Sequence, residues 1–280
     1  LISMFHEFAD VKMAEDLNLP VPDYRVEVVK AQPSPLQLKI VDALAKRAEN
    51  VRNGNPARRS PDADEKTKKG MDNILTVMRD GMNASLDPRI LNPNYKDFAG
   101  SKVNLCVQNI LGIYHETSEQ KSTQLVFCDL STPKGKNGGF TVYDDIREKL
   151  IKGGVSEEEI AFIHDYDKTE EKKKLFEKVR QGKVRVLLGS SDKLGVGTNV
   201  QDKLIATHDL DCPWKPSQLE QRLGRIVRRG NENKNVKIFR YVTDSTFDSY
   251  MWQTVERKAR FIGQVMKSHT SVRSAEDCDE

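Results

Sequence analysis

Four arginines are concentrated in one short segment of the chain. Arg222, Arg225 and Arg228 recur every third residue, and Arg229 follows directly. Arginine carries a planar, permanently charged fork that makes two-point contacts with phosphate oxygens, which lysine cannot do. Between positions 218 and 240 the sequence has seven basic residues against two acidic ones. This segment therefore predicts an anion site, with a solvated basic helix face as the alternative.

A glycine-rich stretch precedes the arginines. It reads GVGTN at 195–199 and follows an apolar run at 184–188. Glycines allow backbone N–H groups to approach a phosphate closely, and Asp192 offers an acceptor for a ribose hydroxyl. Thr198 and Asn199 offer neutral donors to a nucleic-acid backbone. Taken alone, the stretch fits equally well a tight turn that needs glycine only for its conformation.

The elements that must position these residues alternate regularly after residue 100. Apolar strand-like runs occupy 124–128, 160–164, 184–188, 204–207 and 236–242, and amphipathic helical segments occupy 101–114, 142–152, 169–181, 217–229 and 245–267. This alternation predicts an α/β fold, with a parallel sheet that carries helices on both faces. The loops that leave the carboxyl ends of such strands form the ligand site. The glycines and the arginines both follow strands in this scheme.

The first hundred residues are less regular. They predict a mainly helical segment, with a short helix at the start, a strand-like run at 24–29 and a helix that Ser34 caps. The polar stretch 54–70 is expected to be poorly ordered. We therefore expect a helical linker over 1–100, a lobe over 101–268 and a flexible tail over 269–280. Because the chain starts with Leu1 rather than Met, we also expect it to be a piece of a longer protein.

Composition excludes several classes of protein. The 45 Lys and Arg residues nearly balance 42 Asp and Glu, so the net charge of +3 identifies no partner. No apolar run approaches the ~20 residues of a membrane span. The four cysteines form neither a metal knuckle nor a disulfide framework. We expect reduced thiols in a cytoplasmic protein, no membrane contact and no metal bound by this chain.

The order of the motifs resembles that of superfamily 2 helicases. GVGTN at 195–199, followed by QRLGRIVR at 221–228, resembles motifs V and VI, and QLVFC at 124–128 resembles motif IV. Together with WKP at 214–216, the pattern is most similar to the Swi/Snf-type branch. The whole chain resembles the helicase part of large helicase–DNA methyltransferase proteins of conjugative elements and phages.

The resemblance implies one of two RecA-like lobes that clamp an ATP and move along nucleic acid. Arg225 and Arg228 would be arginine fingers on the γ-phosphate, with Arg222 as a rival and Gln221 as a polar partner. The implied contacts to ATP come from Asp192, Gly195 and Gly197, and those to nucleic acid from Thr198, Asn199 and Trp214. The implied partners are DNA, with RNA not excluded, and the N-terminal lobe of the same full-length chain. The implied location is the cytoplasm, in a bacterial or phage-encoded protein associated with the nucleoid.

The first lobe's own motifs are missing from this sequence. There is no GxxxxGK[ST] loop, since KGKN at 134–137 lacks both the upstream glycine and the hydroxyl residue. No apolar strand ends in a DExH box. ATP and Mg²⁺ would therefore be bound mainly by the first lobe, and we expect the isolated chain to be inactive.

Two other functions remain open. One is a non-catalytic DNA-binding or docking module. The other is part of an adenine-specific DNA methyltransferase, because NPNY at 92–95 is close to the NPPY loop that holds a flipped base. The third residue is Asn rather than Pro, and no apolar strand precedes the stretch, which favours an ordinary turn.

Overall fold

The computed structural model describes residues 20–57, 70–133, 139–195 and 198–267. Its strands are β1 (Asp23–Ala31), β2 (Thr123–Phe127), β3 (Ile160–Phe162), β4 (Val186–Gly189), β5 (Leu204–Asp209) and β6 (Asn235–Thr243). Its helices are α1 (Pro35–Arg52), α2 (Ile74–Leu86), α3 (Lys102–Glu116), α4 (Val142–Lys152), α5 (Thr169–Arg180), α6 (Ser191–Gly195), α7 (Pro216–Ile226) and α8 (Phe247–Lys267). The expected helix before residue 20, most of the 54–70 loop and the tail 269–280 lie outside the described residues.

The six strands form one sheet in which every pairing is parallel. Their order is β1-β6-β5-β2-β4-β3, so neighbours in the sheet are mostly not neighbours along the chain. Connections between parallel strands must cross from one end of the sheet to the other, and the helices make these crossovers. The predicted α/β fold with a parallel sheet is therefore confirmed.

Helices cover both faces of the sheet. Alternate residues of β2 point to opposite faces, since Val126 belongs to one buried cluster and Leu125 to the other. Helices α3 and α4 pack on the first face, where Ile110 and Ile146 are fully buried. Helices α5, α6 and α7 pack on the second face. The strand ends are thereby left as the part of the sheet that helices do not cover.

Strand β1 joins the N-terminal segment to the sheet. It pairs with β6 along its whole length, from Asp23 opposite Asn235 to Ala31 opposite Thr243. Helix α2 also packs against α8, where a Cβ on Gly81 would lie 3.3 Å from Phe247 Cγ. The expected helical linker 1–100 thus supplies an edge strand to the sheet, because its alternating β-branched residues fit a pleated edge better than a helix.

Helix α7 is shorter than the sequence pattern predicts. The predicted helix 217–229 ends at Ile226, because Val227 has ψ of 78° and leaves the helical conformation. Gly230 then adopts φ of +92°, which turns the chain toward β6. Arg228 and Arg229 therefore lie beyond the helix, in a turn, and the expectation that one helix carries all four arginines is wrong.

Local signals account for most other boundaries. Ser34 caps α1, as the sequence predicts, and it also forms a capping box with Gln37. The predicted strand 160–164 is shorter, since Ile163–Asp165 form a 3₁₀ turn. No helix in the described ranges combines the length and apolarity needed to cross a bilayer.

Candidate functional site

The loops of interest meet at one edge of the sheet. Strand β2 is hydrogen-bonded to β4 on one side and to β5 on the other. Because the three strands are parallel, their carboxyl ends lie together, which is the usual ligand position in such sheets. Helix α6 begins just after β4, and the segment 210–215 leads from β5 to α7. The glycine-rich stretch and the arginines are thus brought to the same edge.

Arg222 is the buried centre of this edge, with a side chain only 2% exposed. Its Nε donates to Ser191 Oγ at 2.8 Å. Its Nη1 donates to Asp209 Oδ1 at 3.2 Å, and its Nη2 donates to Asp129 Oδ2 at 3.0 Å and to Asp211 Oδ1 at 3.2 Å. One guanidinium therefore ties α7 to the ends of all three central strands.

Electrostatics fix Arg222 in its charged form. Burial disfavours the charge, but Asp209, Asp211 and Asp129 outweigh it and raise the pKa of Arg222. Burial, and then the charge of Asp129, raise the pKa of Asp211 to about 6, although Arg222 opposes both effects. Burial likewise raises the pKa of Asp209. The rival candidate for an arginine finger is therefore already bonded to carboxylates inside the protein.

Arg225 and Arg228 lie in a different environment. Both donate to the carbonyl oxygen of Thr198, from Nη1 of Arg225 at 3.2 Å and from Nη1 of Arg228 at 3.3 Å. Arg225 Nη2 also donates to the carbonyl of Gly195. Neither guanidinium forms an ion pair with a carboxylate in the part of the chain that the structure describes. Burial, and then the charge of Arg228, lowers the pKa of Arg225.

The end of α6 and the loop after it supply the carbonyl oxygens that accept hydrogen bonds from Arg225 and Arg228. Thr198 is 1% exposed, and its hydroxyl has no hydrogen-bond partner among the described residues. Arg225 Nε is also buried, and it too has no hydrogen-bond partner among the described residues. Asn199 is exposed, and its carbonyl accepts from Arg180 Nη1 at 2.8 Å. Among the described residues, two buried polar atoms without a partner therefore lie next to two guanidiniums that have no carboxylate partner.

The remaining predicted site residues are divided between this cluster and the surface. Gln221 is close to the loop, with its Oε1 3.6 Å from where a Cβ on Gly195 would lie. Asp192 is exposed on α6, and Trp214 is 52% exposed just before α7. Gly197 lies outside the described residues. The structure therefore brings together Gly195, Thr198, Gln221, Arg225 and Arg228.

Four residues at this edge were not identified by the sequence analysis. They are Asp129, Ser191, Asp209 and Asp211, the hydrogen-bond acceptors of Arg222. The available signal was an acid at or just after the end of β2 and of β5, two strands that the sequence pattern predicts. Spacing alone could not show that these acids meet one buried arginine.

The stretch that resembles a methyltransferase loop is a surface turn. Asn94 N–H donates to Asn92 Oδ1 at 3.0 Å, and Tyr95 N–H donates to the Asn92 carbonyl at 3.1 Å. The turn follows the 3₁₀ helix Pro88–Ile90, not a strand of the sheet. Side-chain hydrogen bonding of this kind is the ordinary role of Asn in turns.

The parallel sheet with helices on both faces defines a class of fold, that of a RecA-like helicase lobe. Residues 101–230 match the family described as the helicase conserved C-terminal domain. This match spans just under half of the chain, so residues 101–230 are similar to the C-terminal domain of helicases.

Two curated relatives agree with this assignment. DNA repair protein RAD5 of Candida albicans is 27% identical over 203 residues, which is 71% of this chain and 17% of that protein. Defense against restriction protein B of Escherichia phage P1 is 29% identical over 101 residues, which is 36% of this chain and 4% of that protein. The chain thus matches only a small part of the length of either relative.

Solved structures support the fold. The C-terminal part of the Fun30 ATPase domain superposes with a TM-score of 0.62 at 14% identity, covering 84% of this chain and 90% of that one. The Sulfolobus solfataricus SWI2/SNF2 ATPase core in complex with dsDNA gives a TM-score of 0.57 at 16% identity, covering 88% and 47%. Because 84% of this chain is more than the 180 residues from 101 to 280, the Fun30 superposition includes part of the N-terminal segment.

Proposed function

We propose that this chain is the C-terminal half of an ATP-dependent DNA helicase or translocase, and that it completes an ATP site shared with an N-terminal lobe. The observation that carries the proposal is the pair Arg225 and Arg228, which share the Thr198 carbonyl and have no carboxylate partner among the described residues. Two neighbouring guanidiniums that, among the described residues, bond only to main-chain oxygens can exchange those bonds for a phosphate. Arg222 cannot do so without leaving two buried carboxylates, Asp209 and Asp211, and the half-buried Asp129 uncompensated.

The donors fit the terminal phosphate of a nucleotide. Arg225 and Arg228 would neutralise the negative charge that spreads over the transferring phosphoryl group, which can be worth about 10³–10⁵ in rate. Gln221 would be their polar neighbour, while Gly195, Gly197 and Asp192 would line the nucleotide from this side. The proposal assigns the phosphate loop and the ligands of Mg²⁺ to the N-terminal lobe.

DNA is the proposed nucleic acid. Support comes from two similar proteins, one a DNA repair protein and the other an ATPase core in complex with dsDNA. Thr198 and Asn199 would contact the backbone, and the exposed ring of Trp214 would stack on a base or sugar. Three buried free cysteines, Cys106, Cys128 and Cys212, fit the proposed cytoplasmic location.

The experiment is an ATPase assay on the full-length protein that contains this chain. It is run without nucleic acid and with duplex DNA, single-stranded DNA or RNA at one salt concentration. We expect turnover that DNA stimulates, and none from the 280-residue chain alone. Absence of ATP turnover under every condition would contradict the proposal.

A non-catalytic DNA-binding or docking module is the second candidate. It is favoured by the lack of a GxxxxGK[ST] loop in the sequence. The same assay separates the two, because a module of this kind would bind DNA in a protein that hydrolyses no ATP.

A further inference from the structure

We infer that Asp129 is a positioning residue that holds Arg225 in place from the loop after β2. The inference rests on the proposed function, since it concerns how one arginine of the same pair is oriented. Asp129 contacts neither arginine of the pair. It acts through two separate connections, one to α6 and one to α7.

The first connection runs through Ser191. One carboxylate oxygen of Asp129 accepts from the Ser191 backbone N–H, and the other accepts from Ser191 Oγ at 2.9 Å. Ser191 is the first residue of α6, and Gly195 is its last. The carbonyl of Gly195 accepts from Arg225 Nη2. Asp129 therefore fixes the start of the short helix whose end bonds to Arg225.

The second connection runs through Arg222. Asp129 Oδ2 accepts from Arg222 Nη2 at 3.0 Å, and Arg222 Nε reaches Ser191 Oγ at 2.8 Å. Arg222 lies one turn before Arg225 on α7, so a fixed Arg222 sets the rotation and height of that turn. The two connections close a ring through Asp129, Ser191 and Arg222. Both elements that orient Arg225 are thus held by one carboxylate.

Asp129 differs from the other two carboxylates in its exposure. Its side chain is 29% exposed, against 3% for Asp209 and 1% for Asp211. Its backbone N–H and that of Leu130 both donate to Asp211 Oδ2, which fixes the start of its loop. Asp209 and Asp211 are therefore part of the interior, whereas Asp129 stands between the interior and the loop surface.

The test uses the full-length protein and compares Asp129→Ala, Asp129→Asn, Arg225→Ala and a control, Asp167→Ala. Asp167 is a carboxylate near the same edge, 86% exposed, with a single ion pair to Lys193 at 3.5 Å. DNA-stimulated kcat and KM for ATP are measured separately for each variant. Unfolding of the corresponding 280-residue chains shows whether each variant is folded at the assay temperature.

We expect Asp129→Ala to lower kcat by roughly 10- to 100-fold, since a misplacement of about 1 Å can cost ~10²-fold. KM for ATP should change by less than about threefold, because the first lobe holds most of the nucleotide. Asp129→Asn, which keeps one acceptor oxygen, should recover part of the loss. Asp167→Ala should match wild type.

The outcomes separate this inference from the proposed function. If Arg225→Ala is inactive while folded Asp129→Ala and Asp129→Asn turn over ATP like wild type, the positioning role is wrong and the proposed function stands. If Arg225→Ala retains full turnover, the arginine-finger assignment and the positioning role are both wrong. If Asp129→Ala fails to fold, Asp129→Asn is used instead to test the positioning role. The second measurement is then the NMR signal of Arg225 Nε–H in the 280-residue chain. An unchanged signal in Asp129→Asn would overturn the inference.

Discussion

Arg222 and Asp209 form an ion pair of 3.2 Å in which neither side chain is more than 3% exposed. The pair joins α7 to the end of β5, and Asp211 and Asp129 bond to the same guanidinium. Removing one partner of a buried pair is costly because the remaining charge is left without compensation in a medium of low polarity. Here up to three carboxylates lose their common cation.

We therefore predict that Arg222→Gln lowers the free energy of unfolding of the 280-residue chain by about 3–5 kcal/mol. Urea unfolding followed by circular dichroism measures it. Arg229→Gln is the matched control, since Arg229 is exposed in the turn after α7 and should change stability by less than about 0.5 kcal/mol. A loss below about 1 kcal/mol for Arg222→Gln would show that the buried network contributes little.

A buried histidine predicts how stability depends on pH. His208 is fully buried, with Nδ1 2.9 Å from Tyr241 Oη and Nε2 3.0 Å from Gln124 Oε1. Burial lowers the pKa of His208 from 6.5 to about 3. The unfolded chain therefore binds a proton that the folded chain does not, so stability from this residue is complete above pH 6.5 and falls as the pH drops toward 3.

The measurement is the free energy of unfolding at several pH values between 7 and 4. As the pH falls through this interval, the free energy of unfolding of wild type should decrease by up to about 1.4 kcal/mol per pH unit more than that of His208→Gln. The ring signals of His208 should show no titration above about pH 4 by NMR. A midpoint near 6.5 for this ring would contradict the burial argument.

The sequence was sufficient for the order of the elements, because hydrophobic periodicity reflects burial on a sheet or a helix face. It predicted the helix Val142–Lys152 to the residue and the start of α7 to within one residue. It did not predict that α7 ends at Ile226, since the apolar period continues through Val227. The backbone there leaves the helix because Gly230 and the following strand redirect the chain, which is a tertiary effect.

The composition of the site was harder to predict. Sequence spacing placed Arg222, Arg225 and Arg229 along one helical stripe, with Arg228 close by, and it left Arg222 as a rival to the pair Arg225 and Arg228. The structure distinguishes them by their surroundings, since Arg222 meets Asp129, Asp209 and Asp211, while the other two meet the Thr198 carbonyl. These contacts join residues between 11 and 93 positions apart in the chain, so no local pattern reports them.

DNA binding by the chain alone should depend steeply on salt. Contacts to phosphate dominate non-specific affinity, and log K falls by roughly 0.9 for each neutralised phosphate per unit of log salt concentration. Fluorescence anisotropy of a labelled oligonucleotide at several salt concentrations measures the slope. An affinity that does not change with salt would indicate that the chain recognises the bases of DNA rather than its phosphates.

The exposed ring of Trp214 adds a second test of DNA binding. Trp214→Ala should weaken binding to single-stranded DNA by about 1–3 kcal/mol, because a stacked base is lost. Stability should hardly change, since the ring is 52% exposed. Tyr250→Ala is the control, an aromatic residue 55% exposed on α8. Equal losses in the two variants, or none in either, would remove Trp214 from the proposed interface.

The central claim is that Arg225 acts on the terminal phosphate of ATP. The most direct measurement is the DNA-stimulated kcat of the full-length protein with Arg225→Ala, alongside its affinity for a non-hydrolysable ATP analogue and with Arg229→Ala as control. We predict a loss of about 10³–10⁵ in kcat, a change of less than about tenfold in analogue affinity, and no effect of Arg229→Ala. Turnover by Arg225→Ala equal to that of wild type would contradict the claim.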